Sequence, residues 1–224
     1  MENTRTVRVT GKGSIRVKPD TTRLTVTLRG TYKDYQETLS RSARDTEALK
    51  DVLQSLGFDK SELKTLSFDV DTRYESVQDQ GRNFRQVFVG YEYIHMAKLD
   101  FPSDNELLGR TLYALAASAL KPEFRLSYTV KDPEPVKNEL LGRAVADALA
   151  KARVLTGAAG VTLKDILNID YSWGEVAFEV QPLRRSLEAD MAAGALNAKA
   201  SFDMDIEPDD IRVSDTVTVV WEIA

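Results

Sequence analysis

The sequence predicts an α+β fold: a largely antiparallel sheet with about three helices packed on one side. Three observations carry that prediction. Several segments alternate apolar and polar residues, leaving one strand face wet, as antiparallel sheets allow. Three segments place apolar residues at helical spacing between recognisable caps. Their order reads β-β-α-β-β-α-β-α-β-β, which is not the strict alternation of a parallel sheet.

The first strand sets Val7, Val9, Gly11, Gly13, Ile15 and Val17 on one parity and Arg8, Thr10, Lys12, Ser14, Arg16 and Lys18 on the other. The two glycines fall on the apolar parity, where a bulge or a close neighbouring backbone accounts for them. Lys18-Pro19-Asp20 reads as a turn, and Leu24, Val26 and Leu28 then alternate with Arg23, Thr25, Thr27 and Arg29, so the first two strands are expected to form a hairpin. Asp34, with Glu37 three residues on, opens a helix over about residues 34–56, and Gly57 ends it. Its inner stripe is Tyr35, Leu39, Ala43, Thr46, Leu49, Leu53 and Leu56.

A third strand spans about residues 63–71, with Leu66, Phe68 and Val70 on one face. Residues 75–84 read as a polar hairpin tip, and a fourth strand over about residues 85–100, apolar on much of both faces, is expected to be central. Ser103-Asp104-Asn105-Glu106 caps a second helix that ends near Leu120. Phe124, Leu126, Tyr128 and Val130 define a fifth strand. Asp132-Pro133 opens a third helix running to about Thr156, whose buried side is Val136, Leu140, Ala144, Ala148, Ala152 and Leu155. Its alanines imply close approach to a neighbour.

Leu167, Ile169, Tyr171 and Trp173 mark a sixth strand, with a bulge at Gly174 shifting the phase to Val176, Phe178 and Val180. Residues 181–205 lose periodicity and read as a mobile insertion, with a short amphipathic helix as the alternative. The last strand carries Ile211, Val213, Val217, Val219, Trp221 and Ile223 on one parity. No Pro/Gly/Ser linker divides the chain, so residues 1–224 are expected to form a single domain.

Composition narrows function. With 30 Lys and Arg against 35 Asp and Glu, the net charge of −5 disfavours a general nucleic-acid binder. The chain has no cysteine, which removes disulfides, thiol nucleophiles and cysteine metal sites. Residues 1–6 lack the apolar core of a signal peptide, and no apolar run reaches the roughly 18–20 residues of a membrane-spanning helix. The chain as given therefore reads as cytoplasmic, or as periplasmic or secreted if it is a mature or truncated form.

No segment carries a catalytic motif. Gly11-Lys12-Gly13-Ser14 resembles a phosphate loop only superficially: Thr6 stands where the first glycine belongs, Gly13 follows the lysine, and a strand comes next rather than a helix. His95 is the sole histidine, and no G-x-S-x-G elbow accompanies it, so it reads as a structural strand residue with a hydrogen-bond partner. Asp203, Asp205, Glu207, Asp209 and Asp210 form an acidic run without calcium-loop spacing. Asp69 and Asp71 share a face with Arg73 and read as a surface ion pair. Tyr91, Tyr93, Tyr128, Tyr171 and Trp173 read mostly as core, with an interface as the alternative. No catalytic, cofactor-binding or metal residue is assigned, and no cofactor is expected.

The opening Val9-Thr10-Gly11-Lys12-Gly13 strand with Pro19-Asp20, the long helix from Ala144 through Lys151-Ala152 to Gly160, the Leu163 to Ile166 strand entry, and the closing residues Ile206 to Val219 together resemble the SIMPL domain family. That family was formerly a domain of unknown function. It includes a bacterial periplasmic immunogenic protein and oxidative-stress-associated relatives. Asp209 stands where the family usually has glycine, which affects the turn before the last strand. The resemblance implies an α+β fold, large ring-like homo-oligomers and no established enzyme activity. It also implies relatives that are often exported and are linked to envelope integrity or stress tolerance. The function expected is a non-enzymatic, self-assembling scaffold with protein or small-molecule partner unknown. Alternatives are a small-molecule or peptide binder using the 181–205 segment or a strand edge, and a hydrolase built on Asp, Glu, Lys or Ser.

Overall fold

Gly11 and Gly13 show how the chain is built. A Cβ on Gly11 would lie 2.0 Å from the Ala144 carbonyl oxygen, and one on Gly13 would lie 2.1 Å from that of Leu140, so helix backbone rests directly on this strand. In this computed structural model residues 5–78, 84–171, 177–181 and 206–224 are described. The elements in chain order are β1 (Thr6–Val17), β2 (Thr21–Tyr32), α1 (Tyr35–Ser55), β3 (Lys64–Gln78), β4 (Phe84–Pro102), α2 (Asn105–Ala117), β5 (Glu123–Thr129), α3 (Glu134–Ala159), β6 (Leu163–Asp170), β7 (Glu179–Val180) and β8 (Ile211–Ile223). Three helices with largely antiparallel sheet make this the α+β class that the sequence predicts. The residues group into two compact units.

The smaller unit comprises Met1–Asp20, Thr129–Val180 and Pro208–Ala224. Its sheet has the order β1-β8-β6. β1 pairs antiparallel with β8 without a break, from Thr6 opposite Glu222 to Val17 opposite Ile211. The expected β1–β2 hairpin is therefore incorrect: the whole length of β1 is paired to β8, and β2 belongs to the other sheet. The turn residue Asp20 instead ties back within its own unit, its N–H donating to the Thr129 carbonyl at 3.2 Å and its carboxylate accepting the Lys131 N–H at 2.8 Å. On α3 a four-residue step buries Leu140, Ala144, Ala148, Ala152 and Thr156. The small alanine side chains let the helix backbone approach the glycine-bearing strand closely. Leu155, expected inside, is half-exposed, because the seam reaches Thr156, whose hydroxyl donates to the Ala152 carbonyl at 2.9 Å. Gly160, at φ 68°, ends the helix in the left-handed region. β6 begins earlier than expected and leaves Ile166, Leu167 and Ile169 half-exposed, as an edge strand does. The bulge expected at Gly174, with Trp173, lies outside the described residues, as do residues 182–205 of the expected insertion.

The larger unit comprises Thr21–Tyr128 and Gln181–Glu207. Its strands lie in the order β3-β4-β2-β5, so β4 is interior, as its apolar faces predict. Leu24, Val26 and Leu28 of β2 with Leu99 and Phe101 of β4 receive Leu49 and Leu53 of α1 and Leu108, Leu112 and Leu115 of α2. Both helices thus cover one face of the sheet. Asp34 caps α1 as the sequence indicates, accepting the Glu37 N–H at 2.9 Å, and Gly57 follows the helix at φ 100°. α2 is capped one residue later than the expected box, not by Ser103 but by Asp104, which accepts the N–H groups of Glu106 and Leu107 at 2.9 and 3.1 Å. The inner stripe of α1 is correct only in its second half. In the first half Thr38 and Ser42 are buried while Tyr35, Leu39 and Ala43 are exposed, the Thr38 hydroxyl facing the Tyr91 carbonyl of β4 at 3.5 Å. The expected hairpin tip is shorter than 75–84: strand pairing persists to Gln78 opposite Phe84.

Candidate functional site

Past Tyr91, where β2 ends, β3 and β4 continue as a two-stranded arm, residues 73–78 paired with residues 84–90. β3 is an edge strand of 15 residues without proline, and none of its residues is buried. The register shifts between Arg73 and Tyr74, so that Tyr74 faces Phe88 after Arg73 has faced Gly90. That bulge turns Phe88 onto the same face as Tyr91. A chain of edge-to-face rings results: Tyr74–Phe88 at 5.7 Å, Phe88–Tyr91 at 5.4 Å and Tyr91–Tyr35 at 5.2 Å between centroids. Such rings ordinarily sit in cores. Here Tyr35 is 49%, Phe88 44%, Tyr74 54% and the neighbouring Phe84 69% exposed. At about 150–250 Å² per ring, this leaves on the order of 400 Å² of aromatic surface uncovered over the four rings, about the size of the largest apolar patch on a typical monomer, which is often functional. Beside it run the outer N–H and C=O groups of β3, which pair with no strand among the described residues.

A second feature lies under α1. His95 is buried, with Nδ1 2.9 Å from the Thr46 hydroxyl, Nε2 2.9 Å from the Thr65 hydroxyl and its ring edge-to-face with Phe68 at 5.5 Å. Both nitrogens are thus occupied, which is the structural role the sequence indicates. Burial, and secondarily the Lys50 ammonium, push its pKa down. A histidine with a depressed folded-state pKa resists a proton that the unfolded chain accepts. Its contribution to stability is complete above the unfolded value of about 6.5 and is lost as pH falls through the folded value. Because His95 is the only histidine, His95→Gln isolates the effect. Between about pH 7.5 and about pH 5.5 the native chain should lose more thermal stability than the variant; equal losses would contradict this assignment.

Next along β4 the Tyr93 hydroxyl donates to the Asp45 carboxylate. Burial, and then Asp45, raise the Tyr93 pKa beyond the ordinary phenol range, so it is a donor at neutral pH and not a phenolate base. These two residues edge a cavity of about 290 Å³, which is also lined by Arg29, Tyr32, Lys121 and Glu123.

The other sequence candidates resolve individually. Gly11 to Ser14 is a mid-strand packing site, where the Lys12 N–H donates to Asp147 at 2.7 Å. Arg73 does not pair with Asp69 or Asp71. It reaches across to Glu92 at 2.6 Å and along the strand to Glu75 at 3.9 Å, because the cross-strand carboxylate is the nearer. Asp203 and Asp205 lie outside the described residues, while Glu207, Asp209 and Asp210 are exposed. Among the described residues no cluster of three or more His, Asp or Glu is placed to hold a metal. Tyr93 and Tyr128 are core, Tyr171 donates to Asp215 at 3.0 Å, and Tyr91 joins the arm. No helix among the described residues is long and apolar enough to cross a membrane.

Residues 7–221 match the model of a family described as SIMPL, a protein of unknown function (DUF541). The 26 kDa periplasmic immunogenic proteins of Brucella abortus and Brucella melitensis are each 24% identical over 163 residues, which is 73% of this chain and 65% of the relative. The chain therefore spans about two thirds of the length of the curated relatives it matches.

Proposed function

From the premise that this chain belongs to the SIMPL family, we propose that it works as a self-associating scaffold with no catalytic step of its own, and that the β3–β4 arm is its contact surface. The observation that carries this is the exposed ring chain Tyr35–Tyr91–Phe88–Tyr74 beside the open edge of β3. Two routes of association meet there. Covering the rings removes aromatic surface from water, and pairing the β3 edge satisfies its backbone groups. A second copy offers both. The curated relatives are named periplasmic, and we assign this chain to the same compartment, in a role supporting the envelope or stress tolerance.

Amide hydrogen exchange along β3 tests the contact surface. In concentrated protein, residues 64–78 should exchange more slowly than after dilution, while β8, already paired on both sides, should not change. Identical exchange in β3 at both concentrations would refute an interface on the arm.

A further inference from the structure

The geometry points to the cavity between α1, β2, β4 and the α2–β5 turn as a binding site for a small zwitterion, a molecule of free amino-acid size with one ammonium and one carboxylate. This is independent of the contact surface proposed for the arm. At about 290 Å³ the cavity stands at the lower limit of ligand pockets, which exclude larger cofactors at that size.

Its walls carry two charges of each sign: Arg29 and Lys121 against Asp45 and Glu123. Summed charge is zero, which disfavours a phosphate or a divalent cation, since either would face two opposing groups. The groups are arranged for separate ends. Asp45 spends Oδ2 on the Tyr93 hydroxyl, and its Oδ1 has no hydrogen bond among the described residues, so an ammonium has an acceptor there. Tyr32 and Tyr93 line the same wall, the Tyr32 ring already carrying the Arg41 guanidinium at 5.7 Å from its centroid. Arg29 holds Glu123 through Nη2 at 3.0 Å, leaving other donors of its guanidinium for a carboxylate.

Lys121 supplies a separate observation. It is the one non-glycine residue with positive φ among the described residues, at 44°. It also precedes Pro122, a position that ordinarily favours extended backbone. Strained backbone of this kind concentrates at ligand sites, and here it falls on a cavity-lining lysine that forms no ion pair among the described residues. Lys121 and Arg29 are thus the carboxylate end.

Titration calorimetry of the full chain against glycine, L-serine, L-glutamine, L-lysine and L-glutamate tests the assignment, with acetate and ethylamine as single-charge controls. At least one zwitterion should give saturable binding below about 10 mM, with neither control binding in that range. Asp45→Asn keeps an acceptor for Tyr93, and Lys121→Gly keeps the left-handed backbone without strain. Each should weaken binding at least about tenfold, with the thermal midpoint showing that the fold is retained. Absence of saturable binding by all five, equal binding of acetate or ethylamine, or unchanged affinity in both variants would overturn it.

Discussion

Gly11→Val is expected to unfold the smaller unit, and even Gly11→Ala should cost about 3 kcal/mol. A Cβ at Gly11 would sit 2.0 Å from the Ala144 carbonyl oxygen and 2.4 Å from the Ala148 nitrogen. Both are helix backbone, so no rotamer change relieves the clash, and α3 must move off the sheet. Overpacking of a core typically costs about 1–3 kcal/mol, and rigid backbone on the far side puts this case at the upper end. Since domains hold only about 5–15 kcal/mol in total, the further bulk of valine exceeds what the unit can absorb. Trp221, buried in the same cluster with Val9, Ala144 and Ala148, supplies a fluorescence signal for denaturant unfolding. Gly142→Ala is the matched control. It lies in α3 with nothing within 4 Å of its added Cβ, and should gain up to about 1 kcal/mol from helix propensity. Equal stability of Gly11→Ala and the native chain would disprove the helix-on-strand contact.

Phe84→Ser combined with Phe88→Ser should convert the proposed assembly to a monomer while leaving the thermal midpoint nearly unchanged. Both rings are largely outside the core that α1 and α2 cover, so their loss removes little folding free energy. Their loss from an interface is a different matter. Buried aromatics are the typical anchors of association, where truncation commonly costs about 2 kcal/mol or more each. Two together weaken association by roughly a thousandfold, at about 1.4 kcal/mol per factor of ten. Leu99→Ala makes the opposite comparison: it should lower the midpoint sharply, because Leu99 is buried in the core of the larger unit. If the double variant retains the native mass, the ring chain is not the contact.

Local sequence signals reported what they physically control. The cap at Asp34, the stop at Gly57, and the close approach signalled separately by the β1 glycines and the α3 alanines depend on neighbours in sequence or on residue size alone, and these were legible; that β1 and α3 meet each other was not. Partnership between distant strands was not. Alternation in β1 shows a wet and a dry face but cannot say that the ladder runs to residues 211–222, so the shorter connection to β2 suggested a hairpin. The aromatic arm was hidden by one residue. Parity counting separates Phe88 from Tyr91, and only the bulge near Gly90 brings them to one face. The cavity draws charged residues from separate elements, Asp45, Arg29 and Lys121 among them, and no local pattern announces their convergence. Both missed features therefore arise from tertiary geometry acting on ordinary residues.

The solution mass of the unaltered chain, measured by light scattering on a sizing column, tests the scaffold most directly. For a subunit of 25.0 kDa, the proposed self-association predicts a discrete multiple of that mass in concentrated protein, falling toward the subunit mass on dilution. A single 25.0 kDa species at every concentration would contradict it.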